Sequence, residues 1–211
     1  MTSRSHSIGH PAVFKKGMQH LKQNDPKLAS VIEKLGRIEF AAEGEMFQSL
    51  VESILGQQLA WAAASAIIDR VKNLYPDGTI EAQALYSTPI RKLRKAGVSP
   101  QKIRYLKDLS RRVVKGKLDL ESLKGKEDSV LLEALDEVLG IGPWTIHMLL
   151  IFTLGRPDVL PVDDLGIRKA IQELYSLSDL PSRDEIEELA KNWHPYCSVA
   201  SLYLWKHKDK A

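Results

Sequence analysis

The chain has 211 residues, 44% of them hydrophobic and 27% charged, enough for one compact domain or two small lobes and inconsistent with a disordered chain. Its 30 lysines and arginines against 27 aspartates and glutamates leave a net charge of +3, which suits nucleic acid without demanding it. A single cysteine, Cys197, excludes an internal disulfide and any four-cysteine zinc or iron–sulfur centre, and the six histidines show no metal-ligand spacing.

The opening stretch Met1–His10 is polar and lacks the apolar core of a secretory signal. The expectation is an intracellular protein, in the cytoplasm or nucleoid of a prokaryote or the nucleus of a eukaryote. From Met46 to Leu55 the apolar residues recur at helical spacing. After Gly56 an alanine-rich helix, Ala60–Val71, is expected to bury Ile67, Ile68 and Val71. Thr88-Pro89 carries a helix-start signal, Thr as cap and Pro in the first turn. Ser99-Pro100 repeats it and opens a helix to about Val114, with Ile103, Leu106 and Leu109 on one side. Basic residues cluster at Arg91–Lys95, Lys102–Lys107 and Arg111–Lys117, which fits either solvated helix faces or a nucleic-acid surface. Leu131–Val138 is expected to be helical with Leu131, Leu132, Leu135 and Val138 inward.

Leu139-Gly140-Ile141-Gly142-Pro143-Trp144-Thr145 then forms a tight turn into a further helix. Its glycines permit positive φ and leave N–H groups uncovered, and Pro143 suits a first turn. Two readings stand: a plain helix–helix turn, or an anion site that holds a DNA phosphate without reading a base. The apolar run Met148–Leu154 is too short to cross a bilayer. Downstream, Pro161-Val162-Asp163-Asp164 precedes an amphipathic helix carrying Ile167, Ala170 and Ile171. An N-cap explains one aspartate. The second is available to face a substrate and to stabilise positive charge on a sugar. Ser182 with Glu185 has capping-box spacing. Among the aromatics, Trp144 and Trp205 are candidates for the walls of a base pocket, where an electron-rich ring attracts a cationic base. Trp61, Trp193 and Tyr196 are expected to be structural. No strand pair, repeat or low-complexity segment is evident.

Taken together, Leu139–Thr145 with Leu160–Asp164 resembles the helix-hairpin-helix DNA glycosylase superfamily, and within it the DNA-3-methyladenine glycosylase II branch in its short bacterial and yeast form. Ile54-Leu55-Gly56-Gln57-Gln58, Gly97–Lys102, His194-Pro195-Tyr196 and Tyr203-Leu204-Trp205 extend the similarity from about Glu45 to Lys206. The resemblance implies an all-α fold of two helical lobes with a cleft, forming a single glycosylase domain over 1–211. One lobe would span 45–123. The other would span 128–211, joined by the N-terminal helices, with a hinge at Gly116–Lys126.

The resemblance further implies Asp164 as the catalytic carboxylate with Asp163 its structural neighbour, and Trp144 and Trp205 in the base pocket. Gln57, Gln58 and Leu59 would fill the gap in the duplex, and Gly140, Ile141, Gly142 and Thr145 would contact DNA. No cofactor is required. A structural Na+ or K+ would sit on the main-chain carbonyls of Asp136, Val138 and Gly140. The partner would be damaged double-stranded DNA, bound by a monomer with no membrane involved. Trp144 stands where the superfamily's lyases carry a Schiff-base lysine, so an enzyme that stops at an abasic site is implied. Other readings of the same residues are a DNA protein that recognises lesions or abasic sites without catalysis, and a helical interaction module that would show no salt-dependent DNA binding. Met148, Leu165 and Cys197 depart from the family pattern.

Overall fold

The computed structural model describes residues 7–208, and among these every regular element is helical. Most of the polar opening Met1–His10 therefore lies outside the described residues. The chain divides into two compact units. The middle unit is Gly44–Leu149, and the second combines Met1–Glu43 with Leu150–Ala211. This differs from the expected division. Gly116–Lys126 lies inside the middle unit, and so does the Gly140–Gly142 turn. The physical reason is local: the segment from 124 to 139 is fastened to its own unit, Lys124 to Glu45 at 3.0 Å and Leu139 N to Asp108 at 3.1 Å.

Helix starts follow capping chemistry. α1 (Pro11–Asn24) opens with proline in its first turn, after His10, whose Nδ1 accepts from Ala12 N at 3.3 Å. α2 (Pro26–Leu35) is capped by Asp25, whose Oδ1 accepts from Lys27 N and Leu28 N, each at 3.0 Å. α3 (Met46–Gly56) buries Met46, Leu50, Val51, Ile54 and Leu55, the stripe its spacing predicts. α4 (Trp61–Lys72) fully buries Ala64 and Val71, whereas Ile67 and Ile68 are half-buried, so its inward face is narrower than expected.

α5 (Ala82–Ser87) and α6 (Ile90–Lys95) meet at Thr88-Pro89. Thr88 was expected to cap the second of these helices. Its hydroxyl instead donates to the Ala84 carbonyl four residues back, at 2.8 Å, and Pro89 takes the capping position of α6. A threonine at a helix C-terminus has that carbonyl within reach and competes for it. α7 (Pro100–Val114) begins at Ser99, whose Oγ accepts from Lys102 N at 3.2 Å, and it buries Ile103, Leu106 and Leu109 as predicted. α8 (Leu120–Leu123) and α9 (Asp128–Asp136) lead to the glycine turn, and α10 (Pro143–Met148) leaves it. Residues Leu149–Thr153 continue as a π-helical segment.

The second unit also holds α11 (Leu165–Tyr175), α12 (Arg183–Ala190) and α13 (Cys197–Lys208), and α13 packs on α1, α2 and α11. Asp25, 6% exposed, ties them: its Oδ2 accepts from Trp193 Nε1 at 2.7 Å and from the Tyr175 hydroxyl. α12 carries the complete capping box predicted for Ser182 and Glu185. Among the described residues no buried side-chain nitrogen or oxygen lacks a hydrogen-bond partner, and no helix is long and apolar enough to cross a membrane.

Candidate active site and nucleic-acid interface

The turn between α9 and α10 is built by steric necessity. Gly140 has φ +80°, and a Cβ there would lie 2.2 Å from Cδ2 of Tyr105. Any other residue would have to enter the left-handed region and displace an aromatic ring. Gly142 is different. Nothing lies within 4 Å of where its Cβ would point, so its main chain is open to an approaching group. Ile141 is 4% exposed and Thr145 is 3% exposed, so neither side chain is presented at the surface of the turn. Both residues are buried in the turn. Trp144, 43% exposed on the first turn of α10, remains accessible.

Asp108 holds the entry to this turn. Its carboxylate is nearly buried, accepts from Leu139 N at 3.1 Å, and pairs with Arg112 at 3.0 Å and with Arg111. Arg112 also reaches Glu137 at 3.1 Å. Burial alone would push the Asp108 carboxyl up. The Leu139 N–H and the two guanidinium groups outweigh burial and hold it below the usual carboxylate range. A depressed folded-state value contributes stability above the unfolded value of about 4, and that contribution is lost as pH falls through the folded value. Asp108→Asn should therefore cost about 1–3 kcal/mol at pH 7. The gap to the native chain should close below about pH 4, as thermal melts across pH would show.

The Gln57–Leu59 loop is clamped from below. Lys102 Nζ donates to the carbonyls of Leu55 at 2.6 Å and Gln57 at 2.8 Å. Gln57 Nε2 donates to the Gly140 carbonyl at 2.7 Å, joining loop and turn. Gln57 is thus engaged within the protein, while Gln58, at φ +57°, and Leu59, 40% exposed, project outward. Loop and turn line a groove of about 660 Å3 with Tyr105, Gln101, Lys102 and Ile67. Next along the chain, Trp61 is 84% exposed, so it is not the core residue expected. α4 begins at Trp61, and its buried face starts only at Ala64.

The basic clusters are partly internal. Lys107 Nζ donates to the carbonyls of Leu85, Tyr86 and Thr88 at 2.6–2.8 Å, closing the end of α5, and Arg94 donates to Val98 O at 2.9 Å. Burial lowers the ammonium pKa of both Lys102 and Lys107. These cations serve helix ends first.

Of the three carbonyls expected to hold a monovalent ion, Val138 O accepts from Ile141 N at 3.1 Å and Gly140 O accepts from Gln57 Nε2. Each of these two oxygens has a second lone pair.

In the second unit, Asp164 is itself the N-cap of α11. Its Oδ1 accepts from Ile167 N at 2.9 Å and from Trp205 Nε1 at 2.9 Å. The sequence suggested that one aspartate caps and the other faces substrate. Instead Asp163 pairs with Arg183, Nε to Oδ1 at 2.7 Å, and the cap and the candidate catalytic group are the same residue. A carboxylate fixed by two donors is oriented in advance. Trp205 is held as well. Its ring stacks on Phe152 with centroids 5.6 Å apart, and Phe152 packs on Phe40 at 5.8 Å. Gly166 makes room for this arrangement, since a Cβ there would lie 3.0 Å from Asp164 Oδ1 and 3.3 Å from Trp205 Cδ1. Phe40, Phe152 and Gly166 were not singled out by sequence. Of the family departures, Met148 is half-buried, Leu165 is 52% exposed at the start of α11, and Cys197 is fully buried.

Comparison with known proteins bears on this geometry. The profile described as HhH-GPD superfamily base excision DNA repair protein matches residues 51–195. The chain is 30% identical, over 90% of its length and 69% of the other's, to a putative DNA-3-methyladenine glycosylase of Bacillus subtilis (strain 168). Among solved structures, a 3-methyladenine DNA glycosylase of Schizosaccharomyces pombe in complex with abasic DNA superposes with a TM-score of 0.84 at 30% identity, covering 92% of this chain and 97% of that one. A DNA-3-methyladenine glycosidase from Bacillus halodurans gives a TM-score of 0.82 at 37% identity, covering 96% and 91%.

Proposed function

This chain belongs to the HhH-GPD superfamily of base excision DNA repair proteins, and we propose that it is a monofunctional DNA glycosylase that removes alkylated purines such as 3-methyladenine from damaged double-stranded DNA. The observation that carries this reading is the Asp164 carboxylate, held by Trp205 Nε1 and Ile167 N.

The chemistry needs little else. A purine alkylated on a ring nitrogen already carries positive charge. When its N-glycosidic bond breaks, the bonding pair leaves with the base and neutralises it, so no general acid is required. Positive charge then builds on the deoxyribose. The fixed carboxylate of Asp164 stabilises it and orients the water that attacks C1′. The products are a free base and an abasic site. Flipping costs a few kcal/mol, least for a damaged or mispaired base, which favours lesions. Trp205 offers the base an aromatic face, and Trp144 is the aromatic contact assigned to the middle unit. Leu59 and Gln58 fill the space the base vacates. Main-chain atoms of Gly140, Ile141, Gly142 and Thr145 approach phosphate, with a Na+ or K+ on the carbonyls of Asp136, Val138 and Gly140 adding positive charge to the turn. The protein acts as a monomer, in the nucleoid or nucleus where its substrate lies.

Two results test the reading. DNA affinity should fall steeply with salt as counterions are released. A duplex carrying an alkylated purine should stay unbroken after base loss and break only on alkali treatment, because Trp144 offers no amine for a Schiff base. A flat salt response overturns the DNA interface, and strand breakage without alkali overturns the monofunctional assignment. Trp205→Phe keeps a ring but removes the donor to Asp164. It should lower the base-release rate about tenfold or more while DNA affinity changes little. Equal losses of both would remove the donor from the mechanism.

A further inference from the structure

Among the described residues, and outside the proposed site, one cluster of chemically able side chains lies in the second unit, where Asp158, His194 and Cys197 converge. His194 Nδ1 is 2.9 and 2.8 Å from the two Asp158 carboxylate oxygens. Cys197 Sγ is 3.5 Å from His194 Nδ1 and 3.8 Å from its Nε2. A donor atom from each residue lies within 4.8 Å of the other two. We propose that these three residues bind a thiophilic divalent cation, with Zn2+ the first candidate, at a site separate from base excision.

Donor type and spacing agree. Thiolate, imidazole and carboxylate are the ligands zinc takes from proteins. With Zn–S of about 2.3 Å and Zn–N of about 2.0 Å at a tetrahedral angle, sulfur and nitrogen stand about 3.5 Å apart. The Sγ–Nδ1 separation is that distance, and since Sγ is almost as far from Nε2 it lies beside the ring, so the imidazole must turn to aim Nδ1 between sulfur and carboxylate. The carboxylate must retreat from the imidazole by about 0.5 Å to admit the ion at the same bond lengths. Both groups can move, since the His194 side chain is 52% exposed and that of Asp158 is 33% exposed. That exposed edge is also the entry path, and it leaves a fourth position to water. The buried face is fixed by the backbone: Cys197 N donates to Asp158 Oδ1 at 3.2 Å, and Ser198 N donates to Pro157 O at 3.1 Å.

Charge also balances. One thiolate and one carboxylate neutralise a divalent ion, so a half-buried site carries no net charge. On binding, the Cys197 S–H bond breaks, its proton goes to solvent and a sulfur–metal bond forms. The Nδ1–H of His194 that the Asp158 carboxylate accepts is exchanged for one on Nε2, which frees the Nδ1 lone pair for the ion. A monovalent alkali ion or Mg2+ would be a poor match to sulfur.

The test is a titration of the full chain with Co2+, whose thiolate charge-transfer absorption reports sulfur ligation, followed by Zn2+. The native chain should develop that absorption, saturate at one equivalent, release one proton per ion and lose the absorption when Zn2+ displaces Co2+. Cys197→Ser should lack the band. His194→Ala, changed at the exposed edge where the fold is least disturbed, should bind at least about tenfold more weakly. Asp164→Asn should titrate as the native chain does, keeping this site distinct from base excision. No charge-transfer band in the native chain, or an equal band in Cys197→Ser, overturns the proposal.

Discussion

Asp164→Asn should abolish base release, lowering its rate by about 10²–10³-fold or more, with the fold and DNA affinity nearly unchanged. The substitution is clean because of where Asp164 sits. Asparagine is as good an N-cap as aspartate, so α11 keeps its bond to Ile167 N. An amide oxygen can still accept from Trp205 Nε1, so the indole keeps its place. What disappears is the negative charge. Asp164→Ala would confuse the result, since losing the cap alone costs about 1 kcal/mol. Single-turnover base release beside a DNA-binding isotherm measures both quantities. An unchanged rate removes Asp164 from the chemistry, and a joint loss of rate and binding assigns it a structural role.

The second large effect separates the two glycines of the turn. At Gly140 a methyl group meets the Tyr105 ring, and the backbone sits at φ +80°. Left-handed backbone costs about 1–2 kcal/mol for a non-glycine residue, and overpacking adds about 1–3 kcal/mol. Gly140→Ala should therefore destabilise the protein by about 2–5 kcal/mol and cost DNA binding as well, because Gln57 is anchored on the Gly140 carbonyl. At Gly142, φ is −117° and a Cβ would meet nothing. Gly142→Ala should melt with the native chain yet bind DNA more weakly, as the methyl group occupies the open face of the turn. Melting curves and binding isotherms on the pair check this. Equal effects at both positions would mean that the turn is a structural connection and not a phosphate contact.

Much of this was legible in the sequence because the signals are local. Capping spacing located α7 and α12, period located α3, and the Gly-x-Gly-Pro order located the turn. Positions set by tertiary partners were not legible. Asp108 looks like an ordinary helix residue with arginines three and four places on, and only the fold brings Leu139 N to it. Lys102 and Lys107 look like surface charge until their carbonyl partners appear. Phe40 and Phe152 lie far from Trp205 in sequence, and Gly166 shows no turn signal because it sits inside a helix. Thr88 misled because a threonine before proline can serve the helix behind it as readily as the one ahead. The unit boundary was misplaced because Gly116–Lys126 carries linker composition yet packs within one unit.

The most direct measurement is the release of free base by the native chain from a methylated duplex, with the same duplex unmethylated as the control. 3-Methyladenine should appear in solution with an equal number of alkali-labile abasic sites, in the methylated DNA alone. DNA binding without any released base would contradict it and leave a protein that recognises lesions without acting on them.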